Sequence, residues 1–294
     1  MSKQADILCI GSVLWDIVGR SETTMRQGSD MPGRITRLPG GVALNIAMAL
    51  ARFGLTPALI SAVGRDPEGD ALVQACQTRG LITNCLYRSD DLPTDSYMAV
   101  EGANGLIAAI ADAHSLEAVG NKILRPFEDG RLASPYAGIV ALDGNLTLDL
   151  LSESVQSPLL AAADLRVAPA SPGKALRLHP FLQARRGTLY VNLEEAGLLC
   201  ETVFSTSGEA AQGLLDRGAR RAIVTNGGDP ATISSTDGAI TQTPPQVHVA
   251  RVTGAGDTFM AAHIAAELNG KDPADALAQA LQAAALYVSG ETKI

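Results

Sequence analysis

Short apolar runs that stop at glycine and alternate with helical patterns constrain this chain most. Ile7–Ile10 stops at Gly11, and residues 58–63 stop at Gly64. Between them Val42, Ile46, Ala49, Leu50 and Phe53 recur at helical spacing before Gly54. Further strand-like runs lie at 138–142, 165–168, 188–191 and 222–225, with helical patterns at 67–79, 148–161, 173–178, 194–199 and 209–217. The order predicts an α/β fold, a mostly parallel central sheet between two layers of helices, with residues 1–294 as one domain. In such sheets ligands bind beyond the carboxyl ends of the strands.

Two segments interrupt the alternation. Residues 12–38 are polar, with several glycines and Pro32. Residues 94–111 read as a hairpin, two apolar strands around Gly102-Ala103-Asn104-Gly105. Both interruptions follow strands at the ligand-binding edge and are expected to form a small β-strand lid; a pair of surface loops is the alternative.

Composition narrows the partners. A net charge of −8, with no Lys/Arg run longer than two, argues against nucleic acid polymers, which need a clustered basic face. No apolar run approaches the ~18 residues of a membrane span, and the N-terminus carries no signal-peptide pattern, so no membrane partner is expected. Cys9, Cys76, Cys85 and Cys200 are scattered and form no CxxC, which suits reduced thiols in a cytoplasmic protein. The four histidines have no metal-ligand spacing.

Two glycine-to-helix junctions carry the chemistry. In Val252-Thr253-Gly254-Ala255-Gly256-Asp257-Thr258-Phe259, glycines precede a helical run in which Met260, Ile264 and Leu268 recur before Asn269-Gly270. Unpaired N–H groups and the helix dipole at such a start suit a phosphate or a developing oxyanion. A carboxylate there is explained if Asp257 takes a proton from an attacking hydroxyl. The plainer reading is an ordinary cap, with Thr253 as N-cap and Asp257 favourable in the first turn. In Pro39-Gly40-Gly41-Val42-Ala43-Leu44-Asn45, two glycines permit close approach to the backbone, and Asn45 sits in the first turn on the flank of an apolar face. Its amide needs partners, which sugar hydroxyls or a neighbouring loop would supply. Asp16, five residues past the first strand's last glycine, is placed to accept from a vicinal diol or simply to face solvent.

Together these segments resemble the ribokinase-like (PfkB) family of carbohydrate and nucleoside kinases, and the likeness runs from Ile7 to about Ser289. The resemblance implies a three-layer α/β/α sandwich with a β-strand lid that closes over the substrate. It implies ATP and Mg²⁺, Asp257 as catalytic base, and Gly254, Ala255 and Gly256 as an anion hole. Asp16, Gly40, Gly41 and Asn45 match sugar-binding positions. Asn192 and Glu195 match an Asn-x-x-Glu element near magnesium and phosphates, with Glu195 acting through water; they also fit a helix cap. Thr225 and Gly227 match the nucleotide loop, and Thr253 falls beside it.

Some positions depart from the pattern. Arg251 stands two before Thr253, where the family often has an acidic residue; this puts monovalent-cation activation in doubt, and its guanidinium could stand in for the ion. Asp229-Pro230 replaces a usual glycine after Thr225-Asn226-Gly227, and Val191 a usual proline.

Within the family the chain is most similar to pseudouridine kinases, on Gly41-Val42-Ala43-Leu44-Asn45-Ile46-Ala47, Ala111-Asp112, Asp143-Gly144-Asn145-Leu146 and Ala168-Pro169-Ala170-Ser171-Pro172-Gly173-Lys174-Ala175. That implies phosphorylation of a nucleoside 5′-hydroxyl, with Asp112 approaching the base or remaining a solvated lid-edge carboxylate. A ribokinase- or fructokinase-like sugar kinase is the alternative. A non-catalytic nucleotide- or sugar-binding regulator is a third reading, against which the retained Asp257 argues. The family resemblance also implies a homodimer through the lid strands, whose exposed edge invites pairing.

Overall fold

The computed structural model describes residues 4–291 and builds them around one eight-stranded sheet. The first half of the chain supplies β1 (Ile7–Ile10), β2 (Leu14–Arg20), β3 (Arg34–Gly40), α1 (Val42–Arg52), β4 (Pro57–Ile60), β5 (Ala62–Gly64) and α2 (Pro67–Thr78). It continues with β6 (Tyr87–Ser89), β7 (Ser96–Gly102), β8 (Gly105–Asp112), α3 (His114–Val119) and α4 (Arg125–Glu128). The second half adds β9 (Ile139–Asp143), α5 (Leu148–Gln156), β10 (Asp164–Ala168), α6 (His179–Gln183), β11 (Thr188–Asn192) and α7 (Leu193–Cys200). It closes with α8 (Ser207–Asp216), β12 (Arg221–Asn226), β13 (Asp229–Ser235), β14 (Gly238–Gln242), α9 (Ala255–Leu268) and α10 (Pro273–Val288).

The large sheet has the order β14-β13-β12-β11-β10-β9-β1-β4. Its strands from β4 to β12 pair in parallel; β13 and β14 form an antiparallel hairpin on one edge. Alternate residues enter two separate cores, which is why the strand runs are apolar throughout. Leu8, Ile10, Val140 and Leu142 pack on one side with the helices α5 to α8. Ile7, Cys9, Leu59 and Ala141 pack on the other with α1, α2, α9 and α10. Fully burying one such Leu or Ile is worth about 1.5–3 kcal/mol, more than any exposed pair in the molecule supplies. All four cysteines are free and buried.

Segments 12–38 and 94–111 form a separate four-stranded sheet, β3-β2-β7-β8, as the sequence leads one to expect. Other boundaries differ. The run 58–63 is two strands broken at Ser61: β4 stays in the large sheet, and β5 leaves it to pair with β6. The expected helix 148–161 ends at Gln156, because Pro158 cannot continue it, and a 3₁₀ turn follows at Pro158–Leu160. Residues 173–178 belong to a 3₁₀ turn, Pro172–Leu178, that leads into α6. The hairpin β13–β14 and helix α10 lie outside the elements that periodicity predicts.

Among the described residues no helix is long and apolar enough to cross a membrane.

Candidate active site

The chain leaves β1 toward β4 and later returns to β1's other side as β9, so the strand order reverses between β1 and β9. A crevice at the carboxyl ends of these strands follows from that topology. Asp143, the last residue of β9, closes its floor. Its Oδ2 accepts from Ser12 N (2.8 Å), Ser12 Oγ (3.0 Å) and Ala43 N (2.9 Å), and its Oδ1 from Asn145 N (2.7 Å). Burial pushes this carboxyl's pKa up, and the four hydrogen bonds oppose that shift. A side chain on Gly11 would run into Asp143, so glycine at the end of β1 is what lets the two strand ends meet.

The same locking places the first glycine junction. Gly41 caps α1 with φ 95°, and a Cβ there would collide with the Ser12 carbonyl. Gly40 lies against Asp16 of β2, whose carboxylate a Cβ at position 40 would strike. Desolvation raises the Asp16 pKa to about 6. Asn45, one turn into α1, donates from Nδ2 to Asp257 Oδ2 at 3.0 Å, across a sequence separation of 212 residues.

Asp257 is the third residue of α9, whose N-cap is Gly254 at φ 89°, not Thr253. Burial pushes its pKa up to about 7; the Asn45 amide lowers it, while Asp143, Asp16 and Glu195 add repulsion. A carboxyl in this state is poised to accept a proton near neutral pH. At the helix start Ala255 N donates to Val252 O (3.0 Å) and Thr258 N to Gly254 O (3.0 Å). Among the described residues, the Gly256 and Asp257 amides between them have no protein acceptor. Of the amides expected to form an anion hole, that of Ala255 is thus occupied by the Val252 carbonyl, and those of Gly256 and Asp257 are open.

Asn192 and Thr225 are register partners at the ends of β11 and β12, and Gly227 follows at φ 56°. Asn192 and Glu195 form a full capping box on α7: Glu195 N donates to Asn192 Oδ1 (2.8 Å) and Asn192 N to Glu195 Oε2 (2.9 Å). The cap holds a buried carboxylate whose pKa desolvation raises. A cavity of about 490 Å³ opens beyond Asn226 and Asp229 against the start of α8, beside this cluster and not within it.

Asp112 is not brought to the cluster. Across the small sheet Trp15, Ser96 and Asp112 share one register row, and Asp16, Tyr97 and Ala111 the next. Successive rows face opposite sides, so Asp112 faces away from Asp16. It is about half exposed (52%) and hydrogen-bonded to His114 Nδ1 at 2.8 Å.

Arg251 lies against the end of α10. Its Nε donates to Tyr287 O (2.8 Å), and its guanidinium sits 3.9 Å from the Tyr287 ring centroid. Sequence reading missed Ser12, Asp143 and Tyr287 as parts of this site. Asp143 carried a signal, a carboxylate ending a fully apolar strand; Ser12 and Tyr287 carried none.

A doubly wound sheet with a switch-point crevice, a carboxyl poised near neutrality beside unpaired helix amides, and a second small sheet at its mouth defines a phosphotransferase acting on a small hydroxyl compound. Comparison with known proteins agrees. Residues 4–292 match the pfkB family carbohydrate kinase profile, and the chain belongs to that family. It is an ATP-dependent sugar or nucleoside kinase, transferring phosphate to a hydroxyl group. It is 28% identical to the pseudouridine kinase of Escherichia coli over 267 residues, 89% of this chain and 83% of that one. A carbohydrate kinase structure from Agrobacterium tumefaciens superposes with a TM-score of 0.82 at 26% identity, covering 99% of this chain and 94% of the other. The ribokinase of Arabidopsis thaliana, solved with ribose and ATP, superposes with a TM-score of 0.81 at 20% identity, covering 99% and 94%.

Proposed function

We propose that the chain transfers the γ-phosphoryl group of ATP to the 5′-hydroxyl of a nucleoside, pseudouridine first among them. The observation that carries the reading is the Asn45–Asp257 hydrogen bond of 3.0 Å, which joins the two glycine junctions into one site. Asp257 takes the proton of the acceptor hydroxyl as its oxygen bonds to phosphorus, and ADP departs. The Gly256 and Asp257 amides, with the Gly254–Ala255 turn behind them, meet the charge on the transferring group. Asp16, Gly40, Gly41 and Asn45 hold the ribose, and Asn192, Thr225, Gly227 and Thr253 border the nucleotide. Among the described residues no cluster of three or more His, Cys, Asp or Glu would hold a metal unaided. Mg²⁺ would be held by the phosphates of ATP and, through water, by Glu195. Its chemistry is to neutralise phosphate charge.

The small sheet acts as a lid that excludes water from the transfer. Its face opposite Asp16 exposes Ile35 (77%), Met98 (48%) and Ile110 (69%), which supports a homodimer through the lid. Sedimentation showing only monomer at high concentration would remove that part. The fixed charge of Arg251 against the Tyr287 carbonyl supports turnover that needs no monovalent cation; equal rates in potassium and choline chloride are expected.

A free-sugar acceptor is the second reading. Asp112 facing away from Asp16 favours it, because it removes the residue expected to approach a base. Measuring ATP consumption with pseudouridine, uridine, adenosine, inosine, ribose and fructose decides between them. Highest kcat/KM with pseudouridine is expected; preference for ribose or fructose replaces the first reading with the second. No turnover with any acceptor would favour a binding protein without catalysis.

A further inference from the structure

We propose that Tyr287 is a positioning residue: by holding the Thr253 carbonyl, it keeps the Asp257 amide free for the transferring phosphoryl group. This rests on the kinase reading above for its purpose, though not for its geometry. In an α-helix the amide of each residue returns to the carbonyl four residues earlier. For Asp257 that carbonyl belongs to Thr253. One residue later the pattern holds, with Thr258 N donating to Gly254 O at 3.0 Å. At Asp257, the third residue of the helix, no such bond forms: Gly254 turns the Thr253 carbonyl aside, and that carbonyl accepts from Tyr287 Oη at 2.9 Å.

Three further contacts make the diversion specific. Gly254, at φ 89°, turns the chain so that the Thr253 carbonyl leaves the line of the helix, and a Cβ at position 254 would run into the Tyr287 hydroxyl. Glycine is therefore needed there twice, for its dihedral and for the approach. Tyr287 is itself held: it is 9% exposed, with the Arg251 guanidinium 3.9 Å from its ring centroid and Arg251 Nε on its carbonyl. Ala250 N and Arg251 N both donate to Val288 O, at 2.8 and 3.1 Å, so the segment entering the site is tied to the end of α10 by its backbone as well. Burial also keeps the phenol protonated by raising its pKa, so the hydroxyl remains a donor.

Without the hydroxyl, the Thr253 carbonyl loses its partner, and the Asp257 amide is the helical donor nearest to replace it. Forming that bond would lengthen α9 by one residue and remove a donor from the place where charge develops.

Tyr287→Phe tests this, because it keeps the ring beneath Arg251 and removes only the hydroxyl. Expected is a roughly 10- to 100-fold fall in kcat, somewhat less than direct loss of an oxyanion donor, with the KM for ATP within about twofold. In the same variant, without nucleotide, amide hydrogen exchange at Asp257 is expected to slow by about tenfold or more as the amide gains a helical acceptor. A kcat within about threefold of wild type overturns the proposal, and so does unchanged exchange at Asp257. 4-Aminophenylalanine at position 287 restores a donor; recovery of turnover to within about threefold supports the proposal and no recovery overturns it, whether or not Tyr287→Phe folds. If the wild type phosphorylates no acceptor, the kinase reading fails, and the exchange measurement still decides the role of Tyr287.

Discussion

At its N-terminus α9 leaves two amides without an acceptor among the described residues, beside a carboxyl whose pKa has risen to about 7. At its C-terminus, Glu267 accepts from Arg166 of β10 at 2.5 Å and from Arg221 of β12 at 2.6 Å, spanning the intervening β11. Arg166 also pairs with Asp164, and Tyr190 of β11 contacts His263 Nδ1 at 2.9 Å. Burial would raise the Glu267 pKa, but the neighbouring cations, Arg166 first, outweigh it and hold the carboxylate low. One helix thus has an anchored end and an open end. The anchored end fixes the helix against three strands, and two of these, β11 and β12, lead into Asn192 and Thr225. The open end can then keep amides unpaired without drifting to pair them internally.

The sharpest test of this contrast is Asp257→Asn. Turnover should fall by about 10³- to 10⁴-fold while ATP affinity stays within about threefold, read by steady-state kinetics and calorimetry. The same variant should be more stable than wild type at pH 8. The folded pKa of about 7 lies above the ordinary carboxylate value of 3.8, so ionising Asp257 opposes folding, and stability is lost as pH rises through about 7. A rise of a few degrees in Tm, about what 1–2 kcal/mol produces, is expected from thermal scans. A destabilised Asp257→Asn would break the contrast.

Glu267→Ala should act in the opposite sense. Leaving Arg221 without its carboxylate and Arg166 with Asp164 alone should lower unfolding stability by about 3 kcal/mol in urea titration, with kcat of the folded protein within about threefold. Loss of turnover without loss of stability would mean that this end is not merely an anchor.

His263 gives a smaller effect. Burial lowers its pKa from 6.5 to about 4, so stability is present above pH 6.5 and lost as pH falls toward 4. His263→Phe should flatten that slope by about 1–2 kcal/mol in urea midpoints compared between pH 7 and 4.5.

The smallest expected shift is in the pH profile of Asn45→Ala. Its amide holds the Asp257 pKa down, so removing it should move the acid limb of kcat/KM upward by about half a unit. Movement toward lower pH would separate Asn45 from the base.

Much of the fold was legible in the chain because parallel strands buried on both faces must be apolar throughout. The runs at 7–10, 138–142 and 188–191 could hardly be anything else. The breaks at Ser61 and Pro158 were harder to place, since leaving a sheet or ending a helix depends on neighbours that periodicity does not report. The site was legible where glycine marks a backbone need, at Gly40, Gly41 and Gly254, and where a carboxylate follows it. It was open at Asp112, read either as approaching a base or as a solvated lid-edge carboxylate, because a shift of one residue turns a side chain to the other face of a strand.

By itself the sequence determined the class of fold and the two glycine junctions, because each rests on local requirements of burial or dihedral angle. Tertiary structure alone decided that Asn45 meets Asp257, that Asp143 closes the crevice floor and that Tyr287 takes the Thr253 carbonyl. These are contacts between segments tens to hundreds of residues apart, and no local pattern encodes which side chain will arrive there.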